Sequence, residues 1–392
     1  MNESTFSPEG GQPGTPARGQ GPTGLEAVGS VAVRTFTAHQ SHRMSGAAQS
    51  AHQSMDGHHV NAMAGDGSGA PHDHFADYDD LPDGHFYDPD AEYEPDPEYA
   101  ATLAPDAARQ RRERIGPTGR PLPYFPIPGP LTDHGPATII AMCNQKGGVG
   151  KTTSTINLGA ALAEYGRRVL LVDFDPQGAL SVGLGVNPME LDLTVYNLLM
   201  ERGMSADEVL LKTAVPNMDL LPSNIDLSAA EVQLVSEVAR ESTLQRALKP
   251  LVDDYDYIII DCQPSLGLLT VNALTAAHKV IVPLECEFFA LRGVALLTET
   301  IEKVQERLNP ELQLDGILAT MYDSRTVHSR EVLARVVEAF DDHVYHTVIG
   351  RTVRFPETTV AGEPITTYAS NSVGAAAYRQ LAREVLARCH AE

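Results

Sequence analysis

At 392 residues, with 32 glycines, 27 prolines and a formal net charge of −23, the chain has room for more than one domain, and its overall acidity excludes a generally basic coat for nucleic acid. Its four cysteines, Cys143, Cys262, Cys286 and Cys389, form no C-x-x-C pair, which argues against a structural zinc site and a disulfide scaffold and fits a reducing cytoplasm. No apolar run approaches the ~18 to 20 residues that span a bilayer, and no charged start precedes an apolar core, so the sequence predicts neither anchoring nor export.

Residues 1–130 are rich in Gly, Pro, Ser, His and Ala, and 71–106 hold twelve Asp or Glu with no Lys or Arg. Such a segment buries too little apolar surface to offset its ordering entropy, so it is expected to be a disordered tail. Its scattered histidines, among them His39, His42, His52, His58, His59, His72 and His74, are irregularly spaced, which reads as solvated low complexity rather than a metal site. The tail carries −10 (8 basic, 18 acidic) and residues 131–392 carry −13 (21 basic, 34 acidic), so the second part is acidic in its own right. Any contact with nucleic acid must come from a local basic patch and be strongly salt-dependent.

From residue 137 onward, apolar runs of strand length alternate with helical patterns. The predicted strands are 138–143, 168–172, 218–221, 257–261, 279–283, 314–321 and 343–349; the clearest helices are 291–308, 330–340 and 372–389. This alternation implies an α/β domain over 131–392, a mainly parallel twisted sheet with helices on both faces, whose ligands bind beyond the carboxyl ends of the strands.

The first strand leads into Gln145-Lys-Gly-Gly-Val-Gly-Lys-Thr-Thr153, and Leu158, Leu162 and Tyr165 follow at helical spacing. A strand, a glycine-rich turn and a helix N-terminus together make a phosphate cradle, because backbone N–H groups converge where the helix dipole is positive. Gly147, Gly148 and Gly150 supply the backbone freedom around Val149; Lys151 reaches the β- and γ-phosphates; the Thr152 hydroxyl serves Mg²⁺, with Thr153 beside it. The ordinary pattern has glycine where this chain has Gln145, and it carries an extra lysine, Lys146. Asp173 and Asp175 follow the second strand, one placed for the metal's water shell and one for an attacking water. Asp261 ends a further strand and is the natural carboxylate to act on Mg²⁺ through water.

With Val172-Asp-Phe-Asp-Pro-Gln-Gly178, Leu221-Pro-Ser-Asn-Ile-Asp-Leu227, Ile260-Asp-Cys-Gln-Pro-Ser-Leu-Gly267 and Glu287-Phe-Phe-Ala-Leu-Arg-Gly293, the loop resembles the ParA/Soj family of chromosome-partitioning ATPases, within the deviant Walker A group that includes MinD and the nitrogenase iron protein. The resemblance spans about residues 137–389 and implies a P-loop NTPase-like fold and a Mg²⁺-dependent ATPase. It makes Lys146 the signature lysine that crosses to the partner's nucleotide in an ATP-sandwich homodimer, Asp175 the water-positioning residue and Asp261 the Walker B aspartate. It further implies that a late loop, 351–364, packs on adenine or ribose through Pro356 and Glu357. Arg325, Arg330, Arg351 and Arg354 are the candidate contacts to nonspecific double-stranded DNA, and the expected setting is the cytoplasm, on the nucleoid, with a ParB-like partner. The long tail has no counterpart in the compact family domain and is expected to extend from the surface, with docking to a cell-pole or cytoskeletal scaffold as the alternative.

Two departures stand out: Gln263 precedes Pro264 where the family usually has Asp-x-Pro-Pro, and Gly350 replaces the proline of Ile-Pro-Arg. A MinD-like membrane cycle needs a basic amphipathic C-terminal helix, which 372–389 does not resemble. An iron-protein role needs two paired cysteines per subunit, which this spacing does not offer. A ParA-like carrier of another cargo stays open.

Overall fold

The computed structural model describes residues 114–287 and 290–389. Among these, seven strands form one sheet: β1 (Thr138–Met142), β2 (Val169–Phe174), β3 (Leu211–Lys212), β4 (Met218–Leu221), β5 (Tyr257–Cys262), β6 (Lys279–Glu285) and β7 (Gln313–Thr320), in the order β3-β4-β2-β5-β1-β6-β7. Every pairing is parallel except β3 with β4. The central strands are apolar without alternation because both faces are covered, and every residue of β2 and β5 is buried.

One face carries α1 (Lys151–Glu164), and the last helix lies against α1. Ile156, Leu158 and Leu162 of α1 share a core with Tyr378, Leu381 and Val385 and with Ile140, Leu171 and Ile259 of the sheet. Gly159 permits this approach, since a Cβ there would lie 2.7 Å from Leu171 Cδ2. In chain order the other helices that matter here are α2 (Ala179–Gly183), α3 (Leu268–Ala276), α4 (Ala290–Arg307), α5 (Val327–Phe340), α6 (Arg354–Ala361) and α7 (Val373–Cys389). α3 contacts β1 and β5, and α4 contacts β6.

Three sequence expectations are corrected. The run 343–349 is not a strand: it meets β7 at one isolated bridge, Val344 with Ile317, and through the backbone bonds of Tyr345 N to Ile317 O at 3.0 Å and Ile349 N to Ala319 O at 2.9 Å, because the buried Glu384 carboxylate on α7 accepts His346 N at 2.7 Å and Thr347 N at 2.9 Å, diverting donors a ladder would need. The late loop 351–364 contains the helix α6, closed by Gly362 at φ 71°. The two-residue β3 was missed, being too short to show a period; its Lys212 pairs with Asp219 at 2.7 Å.

The expected boundary at residue 130 also falls inside a described strap. Arg120 donates to the carbonyls of Asp341 and Val344, the Phe125 ring sits 6.5 Å from that of His346, and buried Arg167 donates to Gly129 O at 2.9 Å. These are polar grips on a Pro-rich segment, which composition alone scores as loop. The tail histidines and the acidic run 71–106 lie outside the described residues.

Where the strap leads into β1 it is held by Asp256, the residue before β5, whose carboxylate accepts from His134 Nδ1 at 2.8 Å, Gly135 N at 3.0 Å and Arg168 N at 2.7 Å. Burial pushes this acid up, but those donors outweigh it and hold it below the usual carboxylate range. Its contribution is therefore present above the ordinary value and lost as pH falls through the lowered one. Asp256→Ala is expected to cost about 1–3 kcal/mol at neutral pH by orphaning two backbone donors, and to flatten the acid limb of stability. Urea midpoints between about pH 3 and 7 check both effects.

Candidate functional site

The turn from β1 into α1 is shaped by two left-handed glycines, Gly148 at φ 75° and Gly150 at φ 82°. Gly147 needs no positive φ; its open side faces Pro264, whose Cβ would lie 3.9 Å from an added Cβ. The loop is tied down at both ends. Asn144 Nδ2 donates to Pro283 O at 2.7 Å while its Oδ1 accepts Lys146 N at 2.9 Å, and Thr320 Oγ1 at the tip of β7 donates to Val149 O at 2.9 Å. Lys151 is 7% exposed with its ammonium on Lys146 O at 3.2 Å, folded over the loop from inside. Thr152 and Thr153 open the first turn of α1.

Asp173 and Asp261 are register partners at the ends of β2 and β5 and are both buried. Burial pushes Asp173 up to about 7, against the pull of two hydrogen bonds from Ser181, N at 2.8 Å and Oγ at 2.7 Å. Burial, then the nearby Asp173 charge, pushes Asp261 up to about 8, against the Thr152 hydroxyl at 2.6 Å and the Lys151 charge. Asp261 Oδ1 is buried without any hydrogen-bond partner. An orphaned carboxylate oxygen beside a helix-terminal hydroxyl fits a hydrated Mg²⁺ that takes few protein ligands, and no cluster of three or more His, Cys, Asp or Glu suited to a metal occurs among the described residues. Asp173 stands differently: Ser181 already occupies its Oδ2, so it props the site from behind. Asp175 is half-buried at the mouth, its Oδ1 accepting Gln177 N at 3.0 Å.

Lys146 lies outside the loop, bonded to Glu285 at 2.9 Å and Glu287 at 2.6 Å. Burial lowers its ammonium, but these bonds outweigh that and raise it. The arginine candidates gather near the tip of β7: Arg325 grips Asp323 with two nitrogens at 3.0 Å each, Arg330 donates to Ser324 O at 2.8 Å, and Arg351 meets Glu285 at 3.4 Å. Arg354, one turn further, meets Glu357 at 3.1 Å. Pro356 is exposed and Glu357 half-exposed on the first turn of α6, which contacts α2. Phe355 beside them packs edge-on against Tyr378 of α7 at 5.8 Å, and Tyr378 OH lies 3.2 Å from Ser154 Oγ of α1. Pro356 and Glu357 thus belong to a helix moored to α1 through α7.

Sequence reading missed Asn144, Ser181 and Thr320. Asn144 had a signal, a polar residue directly after an apolar strand; Ser181 and Thr320 had none, since nothing local shows which strand end they will face.

A protein-family model, AAA_31, described as an AAA domain, matches residues 137–314. An uncharacterised protein of Mycobacterium tuberculosis is 69% identical over 274 residues, covering 70% of this chain and 86% of the relative. The sporulation initiation inhibitor protein Soj of Bacillus subtilis is 49% identical over 249 residues, covering 64% of this chain and 98% of the relative. Among solved structures, a Mycobacterium smegmatis protein described as cobyrinic acid a,c-diamide synthase, with bound ADP and magnesium, aligns at TM-score 0.57 and 47% identity, covering 64% of this chain and 94% of the other.

Because burial and a neighbouring carboxylate both oppose ionisation of Asp261, Asp261→Asn is expected to stabilise the ligand-free protein by about 1–2 kcal/mol once the pH is high enough to ionise the wild type, while sacrificing the site. The amide still accepts from Thr152. Urea unfolding without nucleotide or metal checks this, and a lowered midpoint would contradict it.

Proposed function

The chain belongs to the ParA/Soj family of chromosome-partitioning ATPases, and we propose that it hydrolyses Mg-ATP, pairs with a second copy around two nucleotides, and in that state binds DNA nonspecifically to move chromosome or plasmid DNA with a ParB-like partner. The observation that carries this reading is the division of labour between two lysines of one loop, Lys151 folded inside it and Lys146 outside, its side chain 43% exposed.

The backbone donors of 147–153 and Lys151 bind the triphosphate, in a concavity where the dipole of α1 adds positive potential. Thr152 and Asp261 would hold Mg²⁺, which supplies charge neutralisation on the β- and γ-phosphates. Asp173 fixes the turn into α2 through Ser181 and so sets the height of Asp175, which orients the attacking water. Lys146, given to the neighbour's nucleotide, offsets phosphate charge across the interface and makes pairing depend on ATP. Pro356 and Glu357 flank the base or ribose.

Each arginine candidate already has an acceptor, and three of the four have a carboxylate, so each must exchange a local partner for a phosphate. Such exchanges gain little singly. Two copies held together make several weak exchanges useful, which supports DNA binding by the dimer rather than the monomer.

The amidating activity in the name of the M. smegmatis protein finds no support here. Ammonia drawn from glutamine calls for an activated cysteine, whereas Cys143, Cys262 and Cys286 are buried, and burial pushes the thiols of Cys286 and Cys389 up; Cys262 is raised as well, first by its contact with Cys143. No described helix is long and apolar enough to cross a membrane.

DNA binding measured with ADP, ATP and a slowly hydrolysed analogue across salt concentrations tests the reading as a whole. Lys151→Ala is expected to weaken nucleotide binding by about 100-fold. Lys146→Ala should bind nucleotide yet stay monomeric and off DNA, and Asp175→Ala should remain as a DNA-bound dimer. Normal turnover by Asp175→Ala would remove its assigned role, and a wild-type chain that stays monomeric with saturating analogue would remove the cycle.

A further inference from the structure

Glu285 is the last residue of β6, and its carboxylate serves two cations: Oε2 meets Lys146 Nζ at 2.9 Å and Oε1 meets Arg351 Nη2 at 3.4 Å. The bases of all three side chains are set by backbone. Glu285 is in register with Thr320 of β7, Arg351 N donates to Tyr322 O at 3.1 Å just beyond that strand, and Lys146 N is held by Asn144. The Glu285 side chain is 13% exposed, whereas Glu287, the other carboxylate on Lys146, is 54% exposed. Glu285 is therefore the less screened holder of the lysine and the one whose charge is divided.

We infer that Glu285 is a positioning residue shared by Lys146 and Arg351, so that the arginine sets how firmly the signature lysine is held by its own protomer. Together the four side chains are neutral, two cations against two carboxylates. Withdrawing Lys146 leaves two carboxylates and one arginine beside a cradle meant for a polyanion, so the home contact opposes release. Arg351 takes part of the Glu285 charge and eases that opposition; an anion that draws Arg351 away returns the carboxylate to Lys146. An arginine on the expected DNA-facing rim thereby acts on the nucleotide-side lysine through one carboxylate, at short range and without movement of the sheet. This deepens the proposed ATP-driven pairing and rests on it for its consequence, while the sharing itself is a property of the unpaired chain.

The test is competitive acetylation of the nucleotide-free full chain by acetic anhydride near pH 8, with Lys146 reactivity read by mass spectrometry against Lys212 and Lys249 as internal references. Because a half-unit change in an ammonium pKa alters its free-amine fraction about threefold, Glu285→Gln should raise Lys146 labelling by about that factor and Arg351→Ala should lower it by about twofold. In the Glu285→Gln background, Arg351→Ala should have no further effect, and Glu285→Asp should fall between wild type and Glu285→Gln. A loss of packing would not give opposite signs for the two single changes. Labelling of Lys146 that ignores Arg351→Ala, or responds to it equally with and without Glu285, overturns the sharing.

A second arm follows pairing by light scattering against the slowly hydrolysed analogue, where Glu285→Gln should pair at about one-third the nucleotide concentration of wild type and Arg351→Ala should need about twice as much. Labelling that behaves as expected in a chain that never pairs upholds the sharing and removes the proposed cycle. Labelling as expected with pairing thresholds unchanged overturns the influence of Glu285 on release.

Discussion

Two carboxylates sit at adjacent strand ends, out of reach of water, and most of the site is arranged around the cost of keeping them there. Asp173 is relieved by Ser181, which donates twice, and Asp261 is relieved on one oxygen by Thr152. The remaining oxygen of Asp261 has no partner. That unmet demand is local and directional, and a hydrated cation beside Thr152 would satisfy it. A site of this kind sacrifices stability in the empty state and recovers it on loading, which couples ligand to fold through electrostatics rather than through a large rearrangement.

The same economy governs the cations. Lys151 is enclosed, its ammonium on a loop carbonyl. Lys146 is held outside by two carboxylates, which keep it charged and extended away from its own loop. One glycine-rich turn thus presents positive charge to two different places. The β6 and β7 tips brace this turn, through Pro283, Thr320 and Glu285, so the loop, Arg351 and the carboxylate between them meet at one edge of the sheet.

The strap before β1 belongs to the opposite logic. Its anchors at Arg120, Arg167 and Asp256 are hydrogen bonds to carbonyls and backbone amides rather than an apolar face. Composition tests for apolar burial, and such a segment fails that test while still being held.

Much of this was legible from the chain alone. Strand-to-helix alternation located six of the seven strands, because both-faced burial leaves unbroken apolar runs such as 257–260, and the phosphate loop was legible because glycine, lysine and hydroxyl at those spacings have few other uses. Asp173, Asp175 and Asp261 were placed at strand ends by the same runs. The sequence therefore determined the order of elements, the ligand class and the lysine pair. Tertiary structure alone decided which acceptors the side chains meet: that Glu384 would take two amides from 343–349 and stop it becoming a strand, that Ser181 would occupy Asp173, and that Glu285 would stand between Lys146 and Arg351. The physical reason is range. Periodicity and turn chemistry act over a few neighbouring residues, whereas a hydrogen bond or ion pair between residues 139 or 171 positions apart exists only once the sheet has brought its strand ends together.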